Sequence, residues 1–99
     1  MQASITKNEN TAIIAPEGRL DTVTSAELME QLKAVNIDGM DIELDFEKVE
    51  YISSAGLRLL VALRRQALAS GNSIVIRNTN TVVNEVFRVS GFNKTFIVL

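Results

Sequence analysis

Apolar and polar residues along this chain alternate with two periods, and the changes of period mark the elements. Ala3 to Thr6 reads as a short strand, and Lys7-Asn8-Glu9-Asn10 as a polar turn. Thr11 to Ala15, carrying Ile13 and Ile14, is a second strand, broken by Pro16 and Gly18. Thr24-Ser25-Ala26-Glu27 has the spacing of a capping box, and Val23 and Leu28 stand where a hydrophobic staple would close. Leu28, Leu32 and Val35 continue one stripe, which predicts a helix over 25–35. From Asp41 to Phe46 the period drops to two: Ile42, Leu44 and Phe46 share one face, and Asp41, Glu43 and Asp45 the other.

A second helix is predicted from Ser54 to about Ala69, stopped at Ser70-Gly71. On its wheel Leu57, Leu60, Val61, Ala67 and Leu68 form the core arc, with Arg64 snorkelling from it. Leu59 then falls outside, beside Arg58, Ala62 and Arg65, as the rim of a docking surface or simply a solvated face. Ser73 to Arg77 is a β-branched strand. Asn78 or Thr79 caps a third helix with Val82, Val86, Phe87 and Val89, closed by Gly91, and Phe96 to Leu99 is a last strand. The order β-β-α-β-α-β-α-β implies a single α/β domain over 1–99. Its sheet is mostly parallel, with right-handed crossovers and one face less covered than the other.

Composition narrows the function. An apolar content of 46% suffices for a modest core. The longest apolar run in the leucine-rich segment, Leu59 to Leu63, is far too short to span a membrane, so no membrane insertion is expected. There is no cysteine and no histidine, which removes thiolate metal sites, the commonest general base and the Ser-His-Asp arrangement. A cytoplasmic location is the default without cysteines. A net charge of −2 and few aromatic residues argue against nucleic acid. A binding protein is expected, not an enzyme, with neither cofactor nor metal.

Ser53 and Ser54, between a hydrophobic strand and a helix, then pose the question of chemistry. Either can be an N-cap; since one serine suffices, the other is free, facing the positive end of a helix. Neither is a nucleophile elbow, because Tyr51 and Ile52 stand where that turn needs glycine. Ser4 to Lys7 matches Ser-x-x-Lys without its companion motifs. Asp41, Glu43 and Asp45 read as a solvated strand face instead of a metal site. Asp21 follows a strand and precedes a helix, a turn residue that can also lie near Ser54 at the same sheet edge.

Gly18-Arg19-Leu20-Asp21, Ile42-Glu43-Leu44-Asp45-Phe46, Val49-Glu50-Tyr51-Ile52, Ser53-Ser54-Ala55-Gly56-Leu57 and Gly91-Phe92 together resemble a STAS domain, the family of stand-alone anti-sigma factor antagonists and of sulfate-transporter tails. The similarity runs over nearly the whole chain. The family's Asp-Ser-Ser/Thr-Gly-Leu falls here on Ser53, Ser54, Ala55, Gly56 and Leu57, so serine replaces the aspartate and Ser54 takes the phosphorylated position. The resemblance implies a partner surface of Asp21, Ser53, Ser54, Ala55, Gly56, Leu57, Arg58 and Leu59. It implies three proteins around the domain: an anti-sigma factor that is a GHKL-type serine kinase, a sigma factor freed when the two bind, and a PP2C-type phosphatase that resets the switch. The alternative is a constitutive adaptor on a transporter ATPase or other partner, with Ser54 unmodified. At Gly56 a bulky side chain is expected to spare the fold and impair docking.

Overall fold

The computed structural model describes residues 1–99. Its elements are β1 (Ala3–Asn8), β2 (Thr11–Pro16), β3 (Gly18–Leu20), α1 (Thr22–Val35), β4 (Asp41–Asp45), β5 (Val49–Ile52), α2 (Ser54–Ala69), β6 (Ile74–Arg77), α3 (Thr81–Ser90), a 3-10 turn at Phe92–Lys94 and β7 (Ile97–Val98). Five strands form one sheet in the order β1-β2-β4-β6-β7, antiparallel between β1 and β2 and parallel elsewhere. This is the mixed α/β arrangement that the alternation of periods predicts.

The order is nevertheless richer by two short strands. β3 and β5 pair in parallel as a ribbon of their own, with Leu20 opposite Ile52. Each follows a neighbour in the main sheet after a break: Glu17 separates β2 from β3, and Phe46, Glu47 and Lys48 separate β4 from β5. Gly18, at φ +91, makes the bend, and its N–H donates to Lys48 O at 2.8 Å. The sequence shows the break at Pro16 and Gly18 but not two further strands, because three and four residues are too few to establish a period. The ribbon carries the chain to the starts of α1 and α2.

Twenty-one buried apolar residues form one continuous core. Alternate strand positions enter it, Ala12, Ile14, Ile42, Leu44, Ile74 and Ile76, and meet Leu28 and Leu32 of α1, Leu60 and Leu63 of α2, and Val83 and Phe87 of α3. The intervening positions Ile13, Glu43 and Val75 stay partly exposed, as expected for a sheet covered unequally. They are not simply solvated, however. Asp41 accepts from Ser73 N–H at 2.9 Å and Asn72 Nδ2 at 3.2 Å, Glu43 pairs with Arg77, and Asp45 accepts from Asn78 Nδ2 at 2.9 Å. These carboxylates tie β4 to the end of β6 and to the residues on either side of it.

Three helix details depart from expectation. α1 starts at Thr22, capped by Asp21 and not by Thr24, so Val23 lies in the first turn and is exposed where a staple was expected. α3 is capped by Asn80, because its carboxamide oxygen reaches the N–H of Val83 at 2.7 Å. The buried arc of α2 is Gly56, Leu59, Leu60, Leu63 and Ala67. Leu59 is therefore a core residue and Leu68 is 52% exposed. The helix is rotated because Gly56 has to face the β3/β5 ribbon, which no wheel drawn on the helix alone contains. Arg64 does reach from the edge, its guanidinium 5.8 Å from the centre of the Phe96 ring. The last strand shrinks to Ile97–Val98, since Phe96 turns inward onto Phe92 with ring centres 3.9 Å apart.

Candidate functional site

Two helix N-termini, those of α1 and α2, meet at the end of the β3/β5 ribbon, and the N-terminus of α3 is fastened at its beginning. Leu20 and Ile52 are paired, so the next residues, Asp21 and Ser53, stand side by side as the caps of α1 and α2. Ser53 N–H donates to Leu20 O at 2.8 Å and locks the two junctions together. Asn80, the cap of α3, donates through Nδ2 to Val49 O at 2.9 Å and Glu50 O at 3.3 Å, fastening the third helix to the same ribbon.

The two serines divide the work. Ser53 has extended backbone, and its Oγ accepts the N–H of Gly56 at 3.4 Å. Ser54 is the first helical residue, exposed, with a hydroxyl that makes no hydrogen bond within the chain. The first intrahelical bond runs from Leu57 N–H to Ser53 O, which leaves the N–H groups of Ser54 and Ala55 without a partner in the helix. A group attached to Ser54 Oγ would meet those donors and the positive end of the helix.

Asp21 accepts from the N–H groups of Val23 at 3.1 Å and Thr24 at 3.0 Å, and the Thr24 hydroxyl returns a bond from Asp21 N–H at 2.9 Å. These donors stabilise the carboxylate and hold its pKa below the ordinary aspartate value. The Thr24 N–H contributes most, then its hydroxyl; Val23 and the charge of Arg19 add less, and partial desolvation opposes them. Arg19 itself lies over the Tyr51 ring, 4.6 Å from its centre.

Beside Ser54 lies an open hollow of about 340 Å³, lined by Tyr51, Ile52, Leu57, Val86 and Val89 with Glu85 and Ser90 at its rim. Among the residues expected at a partner surface, Ser54 and Arg58 are exposed, and Asp21, Ser53, Ala55 and Leu57 are half-buried around the same helix starts. Gly56 and Leu59 are corrected: both are buried and face the interior. Sequence reasoning missed the hollow's second wall on α3. Val86 and Val89 signalled an amphipathic helix, but not that its outer edge would adjoin Ser54. No group of three or more acidic residues is placed to hold a metal ion, and no helix is long and apolar enough to cross a membrane.

A single α/β domain of three helices and a mostly parallel sheet is the fold of a STAS domain. The chain belongs to that family: the family model described as MlaB, STAS domain, matches residues 3–99. Its sequence is 29% identical over 99 residues to BtrV of Bordetella bronchiseptica, which is named among the anti-sigma factor antagonists; the match spans 99% of this chain and 85% of BtrV. The fold is shared with a Thermotoga maritima protein of the same designation, at TM-score 0.85 and 16% identity over 97% of this chain and 84% of that one. It is shared also with the anti-sigma factor antagonist SpoIIAA. The unphosphorylated form of SpoIIAA aligns at TM-score 0.81 and 18% identity over 99% of this chain and 88% of that one. The phosphorylated Bacillus form aligns at TM-score 0.74 and 19% identity, over 99% and 91%.

Proposed function

We propose that this STAS domain is a cytoplasmic anti-sigma factor antagonist whose binding is switched at Ser54. Unmodified, it docks on an anti-sigma factor that is also a GHKL-type serine kinase, and a sigma factor is freed. The kinase transfers the γ-phosphoryl group of ATP to Ser54 Oγ: a new P–O bond forms, the bond to ADP breaks, and the hydroxyl proton leaves to a base of the kinase. A PP2C-type phosphatase hydrolyses the ester and restores the binding form. The observation that carries this reading is the division of labour between the serines, with Ser53 capping α2 and Ser54 exposed and unbonded. The domain acts as a binding partner and substrate, not as an enzyme.

The physics is sufficient. A phosphate adds nearly two negative charges, and α2 tolerates them at its N-terminus. An acidic partner surface does not, and a like-charge contact of about 3 kcal/mol lowers affinity roughly a hundredfold. A second reading, a constitutive adaptor docking on a transporter ATPase or other partner, draws support from Ser53 standing where the resemblance places an aspartate.

Incubation with the cognate kinase and ATP, followed by site mapping and binding titrations, separates the two. The switch predicts phosphate on Ser54 in the native chain and in Ser53→Ala. It predicts persistent kinase binding by Ser54→Ala and binding weakened by tenfold or more, about 1.4 kcal/mol, in Ser54→Asp. Phosphate on Ser53 overturns the assignment. No modification, with equal affinity for all variants, is the adaptor's result.

A further inference from the structure

Arg58 stands one helical turn after Ser54, exposed on α2, and it takes part in none of the chain's ion pairs. Helix side chains lean towards the N-terminus, so the residue at i+4 covers the turn that holds residue i. The order is also the favourable one, with the anion N-terminal to the cation. Three other charges around these helix starts are engaged. Glu85, across the hollow, is held by Arg88; Arg19 lies on Tyr51; Asp21 is bound by the first turn of α1.

We propose that Arg58 is the built-in counter-ion of a phosphate on Ser54, drawn onto it when the serine is modified. The inference rests on Ser54 being the modified residue. The planar guanidinium can offer two parallel N–H donors to two phosphate oxygens, which a lysine cannot match. The free N–H groups of the first turn are present whatever residue occupies position 58, so a difference between the native chain and an Arg58 variant comes from that side chain. Modification then does two things at one point of the surface: it adds negative charge, and it removes a free cation.

The test uses the full chain with phosphoserine installed at position 54 during synthesis, as the native sequence and as Arg58→Gln, Arg58→Lys and Arg65→Gln. Phosphorus NMR follows the second ionisation of the phosphate, ordinarily near about pH 6. The native chain should ionise roughly 0.3 pH unit below Arg58→Gln, with Arg58→Lys between them. The gap should shrink in high salt. Arg65→Gln should titrate like the native chain. Equal values for the native chain and Arg58→Gln overturn the proposal, as does an equal shift in Arg65→Gln, which would mean a general field effect. Thermal melts of all four chains confirm that the comparison is between folded proteins. Because no kinase is used, a failure here is separate from a failure of the kinase to modify Ser54.

Discussion

Gly56 shows how one missing side chain holds the site in place. A Cβ at this position would lie 2.5 Å from Ile52 Cγ1, 2.9 Å from Leu20 O and 3.1 Å from Leu20 Cβ. The isoleucine could shift, but the carbonyl is fixed because it already accepts Ser53 N–H. Gly56→Ala gains about 1 kcal/mol of helix propensity and loses more to overpacking, for a net destabilisation on the order of 1–2 kcal/mol by urea titration. A variant as stable as the native chain would show that α2 can slide away from β3. Gly56→Leu should not fold, contrary to the expectation from sequence, because the backbone of β3 closes the space a side chain would need. Ser54→Ala, by contrast, removes a hydroxyl with no partner and should change stability by less than about 0.5 kcal/mol.

At the scale of the element, the cap of α1 links charge to stability. Asp21 and Asp41 both have pKa values below the ordinary one, held down chiefly by the N–H groups of Thr24 and Ser73 respectively. A carboxylate depressed in the folded state contributes stability that is complete above its unfolded pKa, about 3.9, and is lost as pH falls through the folded value. The melting temperature should therefore hold steady from neutral pH to about pH 4 and fall below it. Asp21→Asn keeps a good cap but cannot titrate, so its acid loss should be shallower, with Asp41 supplying the remainder. Asp21→Ala at neutral pH should melt about 5 °C lower. An unchanged acid profile in Asp21→Asn would remove this aspartate from the account.

In the whole molecule, stability is greatest where strands have neighbours on both sides. β4 lies at the centre of the five-stranded sheet, and its Ile42 and Leu44 are buried in the common core. β7 is a two-residue edge strand, although Phe46, Phe87, Phe92 and Phe96 form a chain of contacts beneath that end of the molecule. Amide exchange should be slowest in β4 and β6 and much faster in β7, while the ribbon of β3 and β5 falls between. Uniform protection across all strands would mean that the molecule opens only as a unit.

The local elements were legible in the sequence because they rest on neighbours in the chain. Ile42, Leu44 and Phe46 announce their strand by alternation alone, and Gly91 ends α3 with φ +72. The pair Ser53-Ser54 likewise marks a helix start with one hydroxyl to spare. Long-range contacts decided the rest. Asp21 caps α1 in place of Thr24 because the β3/β5 pairing delivers the chain to the helix three residues earlier than the apolar stripe suggests. Leu59 is buried because Gly56 turns α2 towards Leu20, and Val86 and Val89 flank Ser54 only because Asn80 anchors α3 to β5. A helix wheel records which residues share a face, but the direction of that face is set by partners far away in the chain.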